Sequence, residues 1–131
     1  CKSFLVDILD RLVSFFPDAV KVHIETQLDD FHLVPKKLFP LGIIVNEIVT
    51  NIMKYAFVGR ERGRISISLA KDGDRATLVI QDDGVGLPEG FDAGEASGFG
   101  LMLVGMLAEQ IGGSFTLHDS SGTRSVVSFN L

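Results

Sequence analysis

The sequence predicts an α+β fold, a two-layer sandwich in which a mixed, mostly antiparallel sheet is covered on one face by helices. Apolar residues recur at a helical period in three segments and alternate with polar residues in five others. Two pairs of the strand segments are separated by short turn sequences, as in hairpins, and helical segments lie between the rest. No internal repeat or linker interrupts this pattern, so a single domain over residues 1–131 is expected.

Composition narrows the class of protein. A chain of 131 residues buries roughly two thirds of its unfolded surface, which is enough for a core. The net charge of −5, without a Lys/Arg cluster, argues against nucleic acid or contact with a membrane surface. The single cysteine, Cys1, favours a reducing compartment, the cytoplasm. Because the chain begins with Cys rather than Met, it is expected to be a piece of a longer protein.

The first segments predict a helix, a strand and a loop. Ser3 is placed to cap a helix over residues 3–16, which Pro17 ends. Residues 20–27 alternate between apolar and polar side chains, as a half-buried strand does. Residues 28–40 contain two prolines and no clear period, so a loop is expected there.

A second helix is expected from about Pro40 to Phe57, with the proline in the tolerated first turn. One of its faces is apolar and suits packing on a sheet; it carries Ile44, Val45, Ile48 and Ile52. The helical period stacks four polar side chains on another face; they are Glu47, Asn51, Lys54 and Tyr55. Such a face is either a solvated surface or part of a site.

The rest of the chain predicts two hairpins with a helix between them. The hairpins are expected over residues 64–70 with 76–82, and over 114–120 with 124–131. The Asp72-Gly73 pair is a hairpin signal in the first of them. The helix begins near Leu101, and Gly112-Gly113 ends it.

A long Gly-rich and acidic loop is expected between residues 82 and 100. Loops of this length in compact domains are commonly functional, and the alternative is a plain surface connection. Glycines let a backbone approach a ligand closely, and the helix that follows presents free N–H groups to an anion. The loop contains neither a P-loop nor a complete dinucleotide fingerprint, so both of those phosphate sites are excluded.

Four motifs together resemble the ATP-binding catalytic domain of sensor histidine kinases. They are "NEIVTN" followed by "KYAF", then "DDGVG", "SGFGL" and "SGTRSVVSF". Their order and spacing are similar to those of the family over residues 20–131. The resemblance implies the Bergerat ATP-binding fold, which gyrase and a heat-shock chaperone also have. The first motif is most similar to the subfamily whose helix contains N-E-[LI]-V-T-N.

The resemblance implies roles for the polar helix face. Asn51 would ligate Mg²⁺ through its side-chain carbonyl. Glu47 occupies the position where related ATPases carry a general base, and where the kinases organise the metal and the γ-phosphate. Lys54 would contact a phosphate, and Tyr55 would line the nucleotide pocket.

The resemblance also assigns the loop motifs. Asp82 would accept a hydrogen bond from the adenine amino group, while Gly84 and Gly86 let the chain turn beneath the base. Thr123 would complete the adenine end of the pocket. The second glycine box, whose backbone meets the phosphates, consists of Gly98, Gly100 and Leu101. Strand alternation points Asp83 away from Asp82, so Asp83 is expected to be a solvent-facing acid.

Charge considerations agree with a magnesium-dependent ATP site. Residues 87–97 contain three acids and no Lys or Arg, so they would repel a bare triphosphate. Lys54, backbone amides and a divalent cation must therefore neutralise the phosphates. Mg²⁺ prefers oxygen ligands, which Asn51 and Glu47 offer. An ionised carboxylate such as that of Asp82 only accepts hydrogen bonds, and the adenine amino group donates them.

The phosphoacceptor is expected to lie outside this chain. His23 and His118 fall on polar strand faces and His32 lies in a loop, so all three are expected to be surface residues. The expected partners are therefore ATP, a dimerisation domain that carries the phosphoacceptor histidine, and a downstream response regulator. The helix over residues 3–16 would be either the tail of that dimerisation domain, linking the two domains, or a docking element.

The expected activity is transfer of the γ-phosphoryl group of ATP to that histidine in two-component signalling. Three alternatives stay open from the sequence. A serine kinase of the anti-sigma type shares the Glu and Asn spacing. In a gyrase-class ATPase, Glu47 would activate water. The third alternative is a non-catalytic module that senses nucleotide or docks a protein.

Overall fold

Three helices and five strands make up the described part of the chain. The computed structural model describes residues 1–15, 21–53, 62–84, 99–119 and 122–131. In chain order the elements are α1 (Lys2–Phe15), β1 (Lys21–Leu28), α2 (Pro35–Asn51), β2 (Arg62–Asp72), β3 (Arg75–Asp82), α3 (Phe99–Gln110), β4 (Gly113–Asp119) and β5 (Thr123–Asn130).

The strands form one mixed sheet in the order β1-β2-β3-β5-β4. β1 and β2 are parallel because α2 carries the chain back to the same end of the sheet, whereas the other three pairs are antiparallel. The β3–β5 register pairs Gln81 with Arg124. The C-terminal end of β3 therefore lies beside the N-terminal end of β5. The predicted two-layer α+β architecture is confirmed.

The core lies between the sheet and the helices. The predicted apolar face of α2 is buried, since each of its four side chains is at most 6% exposed. It packs with inward side chains of the central strands, which include Ile65, Ile67, Leu69, Leu78, Ile80, Val127 and Phe129. α1 packs on α2, and at Gly42 of α2 a Cβ would lie 2.8 Å from a ring carbon of Phe4 in α1. Burial of this kind contributes about 1.5–3 kcal/mol for each large apolar side chain.

Both predicted turn signals are confirmed. The β2–β3 hairpin turns at Gly73, which has a φ of 63°, and pairs Asp72 with Arg75. Gly112 lies two residues after the last residue of α3 and has a φ of 79°, so the chain leaves that helix through the left-handed conformation that glycine tolerates.

Two predicted helix starts are wrong. α2 begins at Pro35, five residues before the predicted start, and contains Pro40 within it. Pro35 is compatible with the first turn because an N–H there has no helical acceptor, while Pro40 removes one interior hydrogen bond. α1 begins at Lys2, so Ser3 lies inside the helix and does not cap it.

In the described residues, no helix is both long enough and apolar enough to span a membrane.

Candidate active site

Asp82 is the last residue of β3, and its side chain turns into the protein. The residue is only 2% exposed, in a strand whose inward neighbours are apolar. Oδ1 accepts hydrogen bonds from the N–H of Gly84 at 2.8 Å and from the N–H of Thr123 at 3.4 Å. Burying a carboxylate is unfavourable, and backbone donors of this kind offset part of that cost. The two donors also fix the orientation of the carboxyl group.

Gly122 makes this arrangement possible from the β5 side. Its φ is 124°, a conformation that L side chains rarely adopt. A Cβ at this position would lie 2.0 Å from the carbonyl oxygen of Asp82 and 3.1 Å from the Cα of Asp83. Only glycine lets the end of the β4–β5 connection lie directly on the end of β3. The sequence motif indicates Thr123 as a site residue but does not single out Gly122. The only signal for Gly122 is its place in the "GT" dipeptide.

Asp83 points to the opposite side of the sheet and is exposed, as predicted. It is not simply a solvated acid, because its Oδ1 accepts a hydrogen bond from the N–H of Arg64 at 2.7 Å. Its own N–H donates to the carbonyl oxygen of Arg64 at 3.2 Å. The alternation of β3 predicts the direction of the side chain, but its partner on β2 becomes visible only in the fold.

The C-terminal part of α2 carries Glu47 and Asn51, which are both half-buried and lie one helical turn apart. The Nδ2 atom of Asn51 is buried and has no hydrogen-bond partner among the described residues. A buried amide group without a hydrogen-bond partner costs about 1–3 kcal/mol of stability. Such a group is expected at a site where a bound ligand supplies the missing partner. Rotation of the amide by 180° would bring Oδ1 to the same position and present an oxygen there.

Glu47 and Asn51 carry oxygens of the kind that Mg²⁺ takes as ligands. Within the described ranges, no group of three or more His, Cys, Asp or Glu residues could hold a metal. A cage made by the protein alone is therefore absent from that part of the chain. Mg²⁺ instead commonly takes one or two protein oxygens and completes its shell with phosphate and water oxygens. Glu47 and Asn51 can supply such oxygens.

α3 begins at Phe99, so Gly100 and Leu101 lie in its first turn. The first N–H groups of a helix lack helical acceptors and carry partial positive charge, which favours an anion. Leu101 is 7% exposed and anchors this turn in the core, while α3 packs against α2. The start of α3 therefore presents backbone N–H groups that can donate to an anion, on a helix that contacts α2.

The predicted site residues divide into four groups. Asp82, Gly84 and Thr123 are in direct contact. Glu47 and Asn51 share α2, and Gly100 and Leu101 share the start of the adjacent α3. Four predicted site residues lie outside the described residues, so their roles stay predictions; they are Lys54, Tyr55, Gly86 and Gly98.

The sequence profile of one family matches residues 38–131, and the family is described as "Histidine kinase-, DNA gyrase B-, and HSP90-like ATPase". Because this match covers most of the chain, the chain belongs to that family, HATPase_c. The fold and family together define an ATPase-type domain.

Among curated proteins, Blue-light-activated histidine kinase 2 of Erythrobacter litoralis is 26% identical over 114 residues, which cover 86% of this chain and 32% of that protein. Sensor histidine kinase PdtaS of Mycolicibacterium smegmatis is 28% identical over 131 aligned residues, with 94% of this chain and 26% of that protein covered. The chain therefore spans about a third or less of the length of these relatives.

Solved structures agree on the fold. The blue-light activated histidine kinase EL346 of Erythrobacter litoralis superposes with a TM-score of 0.88 at 23% identity, covering 97% of this chain and 40% of that chain. The mycobacterial sensor histidine kinase MprB gives a TM-score of 0.78 at 21% identity, covering 98% of this chain and 94% of that chain.

Proposed function

We propose that this domain binds ATP with Mg²⁺ and donates the γ-phosphoryl group to a histidine on a separate dimerisation domain, as the catalytic part of a sensor histidine kinase. The observation that carries the proposal is the buried carboxylate of Asp82, oriented by two backbone N–H groups in a chain of the HATPase_c family.

Base recognition follows from the chemistry of that carboxylate. An ionised carboxylate accepts hydrogen bonds and cannot donate them, and the exocyclic amino group of adenine is a donor. Guanine and hypoxanthine carry a carbonyl oxygen at the same ring position, which would face the carboxylate as a second acceptor. Because the donors from Gly84 and Thr123 fix its orientation, Asp82 discriminates against these bases without first reorganising. Gly86 would allow the chain to pass close beneath the base.

The phosphates would lie between α2 and the start of α3. Mg²⁺, when bound, neutralises phosphate charge, and Asn51 and Glu47 would supply its protein oxygens. Backbone N–H groups at Gly98, Gly100 and Leu101 would donate to the phosphates, and Lys54 would add a positive charge. Tyr55 would line the pocket. In this proposal Glu47 helps to orient the γ-phosphate.

The acceptor histidine would come from another domain. His23 lies on β1, His118 on β4 and His32 in the loop before α2, and all three are exposed. None lies on a helix that would present it to a nucleotide. Transfer would form a bond from phosphorus to an acceptor ring nitrogen and break the bond to the β-phosphate oxygen, leaving ADP. A response regulator would then take the phosphoryl group.

The first motif suggests the N-E-[LI]-V-T-N subfamily, and the domain would act in the cytoplasm.

The decisive experiment is titration calorimetry with a non-hydrolysable ATP analogue, with Mg²⁺ and with a chelator. Asp82→Asn preserves the shape of the side chain and an oxygen for the Gly84 N–H, but it can direct an amide donor at the adenine amino group. We expect a loss of at least about tenfold in affinity, equivalent to one charge-assisted hydrogen bond. Asp74→Asn makes the same chemical change in the distant β2–β3 turn and should leave binding unchanged. Equal ATP affinity in wild type and Asp82→Asn would refute the pocket.

The transfer step has a separate test in the full-length parent protein. Incubation with labelled ATP should place acid-labile phosphate on a histidine. Acid-stable phosphate on a serine of a partner, or steady hydrolysis without any phosphoprotein, would contradict the proposed acceptor while leaving the ATP site intact.

A further inference from the structure

The end of β3 is held to β2 by one residue, Asp83, which uses both its backbone and its side chain. The regular ladder between these strands ends with Ile65 paired to Asp82. One residue further along, the N–H of Asp83 donates to the carbonyl oxygen of Arg64 at 3.2 Å, and the Asp83 carboxylate accepts from the N–H of Arg64 at 2.7 Å. Both polar groups of the Arg64 backbone are therefore bonded to a single residue. We name this pair of hydrogen bonds the Asp83 clasp.

The clasp lies directly beside the carboxylate that is proposed to recognise adenine. Asp82 and Asp83 share a peptide bond, and their side chains leave the strand on opposite faces. On the β5 side, Gly122 lies against the carbonyl oxygen of Asp82 and the Cα of Asp83. The end of β3 is thus fixed from both sides, by the Asp83 clasp to β2 and by Thr123 at the start of β5 and Gly122 just before it.

We propose that Asp83 is a positioning residue for the nucleotide: by clasping the Arg64 backbone it fixes the end of β3, and so it sets the direction in which Asp82 presents its carboxylate to the base. This inference rests on the proposed ATP site. Asp83 itself would not touch the nucleotide, because its side chain leaves the opposite face of the sheet. The clasp needs an acceptor oxygen at this position and does not need a charge. An asparagine at position 83 should therefore preserve it.

A matched control is available at the other end of β2, where Asp29 makes similar hydrogen bonds. The N–H of Asp29 donates to the carbonyl oxygen of Leu69 at 2.9 Å, and its Oδ2 accepts from the N–H of Lys71 at 3.0 Å. Like Asp83, it is an exposed aspartate that bonds the backbone of β2 with both its main chain and its carboxylate. Asp29→Ala therefore removes the same kind of bond from β2, far from Asp82.

The test compares the affinities of the β,γ-imido triphosphates of adenosine and inosine, measured by calorimetry with Mg²⁺. Inosine replaces the adenine amino group with a carbonyl oxygen, so its binding does not gain from a correctly directed Asp82. Wild type should prefer the adenosine analogue. Asp83→Ala should weaken that analogue about tenfold, the value of roughly one hydrogen bond to a charged group, and change the inosine analogue much less. Asp83→Asn should remain within about twofold of wild type because the Arg64 N–H keeps its acceptor.

Asp29→Ala should lower the thermal unfolding midpoint about as much as Asp83→Ala while it keeps the wild-type preference for adenosine. A purely structural role for Asp83 would reduce stability without changing the ratio of the two affinities. Wild-type preference in Asp83→Ala, or an equal loss of preference in Asp29→Ala, would overturn this inference alone. If wild type fails to bind the adenosine analogue, or if Asp82→Ala binds it fully, the proposed ATP site is wrong and the inference falls with it.

Discussion

Replacement of Gly122 by alanine is the sharpest perturbation of the candidate site that leaves every polar group in place. The new Cβ would lie 2.0 Å from the carbonyl oxygen of Asp82, whereas real Cβ contacts essentially never fall below 3.0 Å. The β4–β5 connection or the end of β3 must therefore move by about 1 Å, the scale at which misplaced groups lose on the order of a hundredfold in function. The φ of 124° adds strain of roughly 1–3 kcal/mol.

We expect Gly122→Ala to weaken the ATP analogue by about ten- to a hundredfold, because the displacement separates the Thr123 N–H from the Asp82 carboxylate and redirects that carboxylate. Calorimetry measures this affinity. Thermal unfolding should show a lower midpoint by several degrees, as expected for a loss of about 1–3 kcal/mol in a domain of this size.

Two other glycines separate the components of this effect. At Gly113, the first residue of β4, a Cβ would lie 1.9 Å from the carbonyl oxygen of Ser128 on β5. Alanine there introduces a backbone clash of similar severity away from Asp82 and without a positive φ. At Gly73, with a φ of 63°, a Cβ would meet nothing within 4 Å, so alanine there introduces conformational strain alone. Both variants should lose stability and keep the wild-type affinity for nucleotide. Wild-type affinity in Gly122→Ala, or an equal loss in Gly113→Ala, would refute the reasoning.

Two further predictions concern α2. Asn51→Ala should remove the difference between titrations with Mg²⁺ and with chelator while adenine selectivity persists; an unchanged magnesium dependence would exclude Asn51 as a ligand. Gly42→Ala should lower the free energy of unfolding by about 1–3 kcal/mol, because its Cβ would meet Phe4 at 2.8 Å and Ile8 at 2.9 Å. Nucleotide affinity below the unfolding transition should not change, and denaturant titration of the same protein measures the stability; a shifted affinity would show that α1 packing reaches the site.

Much of the fold could be predicted because its signals are local. The alternation of β2 and β3, the turn at Gly73 and the helix end at Gly112 each depend on residues that are neighbours in the chain. The start of α2 could not be predicted in the same way. Whether a proline breaks a helix depends on its position within that helix. The local pattern predicts a loop at Pro35, but Pro35 is the first residue of α2.

Strand order and the finer geometry of the site depend on contacts between distant residues. Nothing local indicates that β5 lies between β3 and β4, yet this order brings Thr123 to Asp82. The motif resemblance predicted Asp82, Gly84 and Thr123. It did not predict the steric requirement at Gly122 or the bonds of Asp83, because each involves a partner on another strand.

The groups that orient Asp82 belong to the main chain, and this has an evolutionary consequence. Every residue other than proline carries an N–H, so substitutions around the site leave these donors in place as long as the strands keep their path. Selection then needs to retain only the acidic group itself and a few positions with special steric demands, such as Gly122. A domain organised in this way can diverge almost everywhere in sequence and still inherit the same pocket with its backbone.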